Sequence, residues 1–278
     1  MTTLLRIQLT CPVCARQFGS QAVLNVRNAP TRKRTDFDAQ TREFQLLPYL
    51  VHTCSRCGYT GCDADFGSEA EIGPMTAAHV WDELAPKLPA GPLSGSEKYE
   101  FAAKVAAWQG ADVERIGQLL LCAAWCCVNE GDVEAERYFR RHSARMFEAA
   151  LALWDGVPRE TRAQLTYLVG ELWRRVGDLS AARMWFDRVP SEIVDLPRQR
   201  WIITAAAQQR DDPQEWFGGD REIDQRSELA RRFRRRSSFG KAAPRALSRL
   251  LQLAAAATRR VGRALVGVAR PFATGEST

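Results

Sequence analysis

The chain has 278 residues, 45% hydrophobic and 26% charged, the balance of a soluble globular protein with room for more than one folding unit. It has no run of about 18 apolar residues, and Met1 to Gln8 lacks a cleavage site, so neither a membrane-spanning helix nor a secretory signal is expected. The net charge of +6 conceals an asymmetry: residues 221–278 hold 14 Lys/Arg against 4 Asp/Glu, whereas the preceding 220 hold 25 against 29.

Leu4 to Leu9 alternates loosely enough for a strand, and Phe18 to Val26 and Phe44 to His52 carry the β-branched and aromatic residues of two more. Two Cys-x-x-Cys pairs flank the latter two, Cys11-Pro12-Val13-Cys14 before them and Cys54-Ser55-Arg56-Cys57 after. Tetrahedral Zn²⁺ takes four soft thiolate ligands and contributes folding energy to a unit with little core of its own. Cys11, Cys14, Cys54 and Cys57 are therefore the expected ligands of one structural zinc, in a zinc-ribbon-like β domain over residues 1–66. The gap between the pairs exceeds the common spacing, so the intervening chain must fold back. Gly58 suits the tight turn after the second pair; Ala15 takes the equivalent place after the first. His52 and Cys62 are alternative ligands. Without a secretory signal the other cysteines are expected to be reduced, and the protein cytoplasmic. Arg27, Arg32, Lys33 and Arg34 make the inter-pair loop basic. A phosphate-contacting role is one reading; a solvated turn, partly neutralised by Asp36 and Asp38, is the simpler one.

Residues 67–95 carry Pro74, Pro86, Pro89 and Pro92 and read as a breaker-rich linker with one short helix near Met75 to Leu84. From residue 96 the period is helical to about residue 210. Gly110-Ala111-Asp112, Gly131-Asp132 and Gly177-Asp178 each place a helix-ending Gly before a helix-capping Asp, which predicts successive antiparallel helix hairpins. Trp173, Gly177, Ala182 and Phe186, with Gly170 as a small packing position, follow the tetratricopeptide pattern. Leu119 to Trp154 forms a looser hairpin, and Ile193 to Gln209 a closing helix. Cys122, Cys126 and Cys127 lie in apolar helix and are expected to be buried core thiols. Trp125, Trp154, Trp173 and Trp185 are expected in packing roles. His79 and His142 have no partner at ligand or triad spacing. No P-loop, dinucleotide fingerprint or nucleophile elbow is present, so no enzymatic reaction is expected.

Residues 211–278 form the basic tail. Arg231, Arg232, Arg234, Arg235 and Arg236 make a dense cationic run. Beyond Pro244 a helical projection puts Arg245, Arg249, Arg259, Arg260, Arg263 and Arg270 on one side and Leu247, Leu250, Leu251, Val261, Leu265 and Val268 on the other. This predicts a cationic amphipathic helix, suited to an anionic membrane surface or an acidic groove. Docking of its apolar side on the helical body is an equal alternative, and nucleic acid a further one. The predicted fold is thus α+β by segments: a small β unit, an all-α tetratricopeptide-like unit and a basic helix. The function expected is that of a non-enzymatic adaptor that holds a protein or peptide partner.

Several segments resemble a known bacterial family, the domain of unknown function 2225: Cys11-Pro12-Val13-Cys14, Thr35-Asp36-Phe37, Pro48-Tyr49, Cys54-Ser55-Arg56-Cys57-Gly58-Tyr59 with Asp65-Phe66, and Tyr167 to Gly177. The resemblance covers roughly residues 5–195. It implies a bacterial cytoplasmic protein with a zinc-ribbon-like start, four cysteines at positions 11, 14, 54 and 57, and tetratricopeptide-like helices. Ala15 in place of Gly, the lack of a Pro after Cys54 and the basic tail depart from the pattern.

Overall fold

A computed structural model describes residues 3–25, 30–41, 45–67, 70–153 and 157–218. Strand β1 (Thr3–Thr10) pairs antiparallel with β2 (Gln17–Asn25), with Leu9 opposite Phe18 and Thr10 opposite Gln17. The first cysteine pair lies in the connection, so the hairpin delivers Cys11 and Cys14 at one end. Two smaller hairpins follow: β3 (Pro30–Lys33) with β4 (Ala39–Thr41), and β5 (His52–Thr53) with β6 (Thr60–Gly61), which carries the second pair at its turn.

Of the strand predicted across Phe44 to His52, Phe44 lies outside the described residues. Over residues 45–52 a 3₁₀ turn at Leu47–Tyr49 takes its place, and among these only His52 joins a strand, β5 with Thr53. Pro48 has no N–H to give a ladder and sits in the first turn of that helix, where the missing donor costs nothing. The Pro-rich connection folds into α1 (Pro74–His79), a π-helical turn at Val80–Leu84 and a 3₁₀ turn at Ala85–Lys87. Val80 and Leu84 are fully buried against Cys54, Cys57, Tyr59 and Phe66, together with Phe101 and Val105 from the next helix.

Six longer helices complete the described residues: α2 (Gly95–Trp108), α3 (Val113–Glu130), α4 (Val133–Ala152), α5 (Arg159–Val176), α6 (Leu179–Arg188) and α7 (Leu196–Asp211). Ser94 caps α2 in a reciprocal capping box with Glu97, which satisfies two otherwise unpaired helix-end donors. The Gly-Asp punctuation works as its chemistry dictates. Gly131 and Gly177 end α3 and α5 with φ of 76° and 92°, and Asp132 and Asp178 accept from the amides of Ala135 and Ala181 at 2.9 and 3.0 Å. Turns this short force each helix back along its predecessor. Gly170 permits one such close approach, since a Cβ there would lie 2.7 Å from the Phe186 ring.

Cys126 and Cys127 are fully buried in the α2–α3–α4 core, and burial pushes their thiols up. Trp125, Trp173 and Trp185 pack around the α4–α5 core. Trp154, Arg27 and the tail arginines from Arg231 to Arg270 lie outside the described residues. No helix among the described residues is long and apolar enough to cross a membrane.

Candidate metal centre

Each cysteine pair is held by a small backbone knuckle. In the first, the Ala15 amide donates to the Cys11 carbonyl and the Cys11 amide to the Arg16 carbonyl, both at 2.9 Å. In the second, Gly58 donates to Cys54 and Cys54 to Tyr59, again at 2.9 Å. Both knuckles need a left-handed residue directly after the second cysteine: Ala15 has φ of 54° and Gly58 of 80°. At Gly58 the requirement is double, because a Cβ would fall 2.9 Å from the Leu84 Cβ. Ala15 holds the same conformation against the cost an L-residue carries there.

The β1–β2 and β5–β6 turns bring the four sulfurs together. Cys11 Sγ lies 3.6 Å from Cys57 Sγ, Cys14 Sγ lies 3.6 Å from Cys54 Sγ, and all four fall within 4.8 Å of one another. A tetrahedral site with metal–sulfur bonds of about 2.3 Å requires sulfurs about 3.8 Å apart. All eight cysteines are free thiols. Cys11, Cys54 and Cys57 are essentially inaccessible to solvent, and Cys14 is half-buried. The donor set therefore fits one metal ion in number, spacing and chemistry.

The amides of Arg56 and Cys57 donate toward the Cys54 sulfur and favour its thiolate, the form in which a thiol ligates a metal.

His52 and Cys62 stand apart from the tetrad among the described residues. His52 is fully buried; its Nε2 donates to Asp63 Oδ1 at 2.7 Å, and its Nδ1 accepts from the Ser20 hydroxyl at 2.8 Å. The carboxylate can only accept, which assigns the tautomer. Burial lowers the His52 pKa, and the ring bridges β2, β5 and the 3₁₀ turn at Asp63–Phe66. Cys62 caps that turn against Asp65, and burial pushes its thiol up to about 11. His79 stacks on Trp108 and pairs with Glu83, and His142 bonds the Tyr138 carbonyl.

A second constellation was not legible as such in the sequence. Far from being a solvated turn, the segment Arg34–Asp38 is driven into the helices. Asp36 is fully buried, ion-paired with the equally buried Arg140 of α4, 3.8 Å from Arg175 Nε of α5, and accepts from Trp125 Nε1 of α3 at 3.0 Å. Burial alone would raise its carboxyl, but Arg140 and Arg175 hold it well below the usual carboxylate range. Thr35 donates to Glu171 at 2.6 Å, and the Tyr167 hydroxyl donates to the Thr35 carbonyl at 3.0 Å. Phe37 packs against Tyr167, Trp201 and Phe217. Residues 215–217 close over this loop: Thr35 N–H donates to Glu215 O, Phe217 N–H donates to Lys33 O, and Arg32 and Arg34 stack on Trp216 at 4.1 and 5.2 Å. The charges of Arg32, Lys33 and Arg34 thus face aromatic rings and, for Arg34, the Glu215 carboxylate of the same chain. The available signal was Arg140 itself, a cation in helical phase with Ser143, Ala144 and Phe147 on the buried side of α4.

Fold and site together define an α+β protein in which antiparallel strand hairpins carry four clustered cysteines that could hold a metal ion, and antiparallel helices follow. The family model described as "Uncharacterized protein conserved in bacteria (DUF2225)" matches residues 4–212, and the chain belongs to this family. No curated protein and no solved structure matches the chain.

Proposed function

We propose that the protein is a zinc-stabilised helical adaptor of the bacterial cytoplasm that binds a protein or peptide partner and performs no covalent chemistry. The observation that carries this reading is the closed cysteine tetrad. Four protein sulfurs at tetrahedral spacing fill a coordination sphere and leave no position for a substrate, which is the arrangement of structural rather than catalytic zinc. Buried thiols pushed up by desolvation, as at Cys126 and Cys127, are poor nucleophiles and support the same reading. The tetratricopeptide-like placing of Trp173, Gly177, Ala182 and Phe186 in α5 and α6 supports partner binding, since stacked helix pairs form extended recognition surfaces. Affinity capture of the metal-loaded chain from its native cell, followed by reciprocal capture, tests the reading. A stoichiometric protein partner is expected; a chain that recovers none overturns it.

The arginine-sorted sequence between Arg231 and Arg270 favours a second role, association with an anionic membrane surface or with nucleic acid. Cosedimentation with anionic vesicles and electrophoretic binding to duplex DNA across a salt series, with and without residues 221–278, separates the two. Loss of binding on truncation assigns the role to the tail; equal binding by both forms removes it.

A further inference from the structure

The loop Thr35-Asp36-Phe37 sits in the helices as a bound peptide would. The first helices of successive hairpins and the closing helix each present one aromatic residue to it: Trp125 of α3 to the Asp36 carboxylate, Tyr167 of α5 to the Thr35 carbonyl and the Phe37 ring, and Trp201 of α7 to the Phe37 ring. Two cations from different helices, Arg140 and Arg175, converge on one carboxylate. A further guanidinium nitrogen of Arg140, Nη2, is buried without a hydrogen-bond partner. Phe37 adopts φ of 73°, a conformation a bulky residue holds only when its surroundings over-determine it.

We infer that this helical face is a receptor for a turn-forming segment bearing Asp followed by an aromatic residue, and that the chain fills it in cis with its own Thr35-Asp36-Phe37. The inference rests on the partner-binding reading above and names the ligand chemistry: a carboxylate for the Arg140–Arg175 pair and a ring for the Tyr167–Trp201 slot. A partner peptide of this chemistry competes with the chain's own loop, so the native protein is self-inhibited at this face. Residues 215–217 form the outer wall of the slot through the backbone pairing to Lys33 and Thr35.

The test uses the full metal-loaded chain with Thr35, Asp36 and Phe37 all replaced by Gly, and a synthetic peptide spanning residues 34–40. The peptide is expected to bind this variant and raise its melting temperature. A peptide with Asn in place of Asp36 should bind at least tenfold more weakly, and the native chain should bind neither. Absence of binding to the folded variant, or equal binding by the native chain, overturns the inference. Should the triple variant not fold, Phe37→Ala decides, because it keeps the Asp36–Arg140 pair. Saturating peptide should then accelerate hydrogen exchange of the variant's own residues 34–38, and unchanged exchange overturns the inference. Failure here leaves the adaptor reading to the capture experiment, which does not depend on this peptide.

Discussion

Asp36→Asn removes one charge and almost no volume from the centre of the molecule, and the structure fixes what that should cost. The native carboxylate has no solvent access and faces Arg140, which has none either. Deleting one member of such a pair costs about 3–5 kcal/mol when the other is left uncompensated; Arg140 keeps Glu136 at 2.8 Å, which places the loss at the lower end of that range. The amide oxygen still accepts from Trp125, so the loss belongs to the charge and not to the hydrogen bond. Set against a typical total stability of about 5–15 kcal/mol, this brings the variant near its folding threshold. Urea unfolding at fixed free zinc, followed by tryptophan fluorescence, should show the midpoint falling by on the order of 1–2 M. The double variant Asp36→Leu with Arg140→Met should recover part of that loss, because a buried pair replaced by apolar groups is often neutral, while Glu136 and the Trp125 indole each lose a partner. A cost below about 1 kcal/mol for Asp36→Asn would refute the reasoning, since that is the value of a solvated surface pair.

Three further outcomes are expected. Asp38 is buried beside the Asp36 charge, which together push its carboxyl up to about 7; the folded state therefore holds its proton more tightly than the unfolded chain. Stability from this group is full below the ordinary carboxylate pKa and declines by about 1.4 kcal/mol per pH unit as pH rises toward 7, so Asp38→Asn should flatten the stability–pH curve measured between pH 4 and 8. Ala15→Gly should raise the thermal midpoint slightly, by relieving about 1 kcal/mol of left-handed strain, whereas Gly58→Ala should lower it through both strain and the Leu84 contact. Gly170→Ala should cost about 1–3 kcal/mol by overpacking against Phe186, read from the same urea curves.

The sequence carried the elements whose signals are local. The two Cys-x-x-Cys knuckles, the Gly-Asp turns and the small Gly170 each act on neighbouring backbone, so residue type alone announces them. What it did not carry depends on partners far along the chain. Arg32, Lys33 and Arg34 look like ordinary surface charge until Trp216 and Phe217, some 180 residues later, lie across them. Asp36 looks like a solvated neutraliser until Arg140 is known to point inward. The Phe44–His52 strand failed for a local reason that was legible, the missing donor of Pro48. The Pro-rich connection reads as a tether by composition, yet Val80 and Leu84 are buried against the cysteine turns.

Metal analysis of the purified chain bears most directly on the tetrad. The account predicts one zinc per chain, bound by four thiolates, with thiolate-to-cobalt charge-transfer bands on cobalt substitution and loss of both metal and hairpin structure in Cys54→Ser. A folded N-terminal unit that holds no metal, with Cys11, Cys14, Cys54 and Cys57 all open to alkylation, would contradict it.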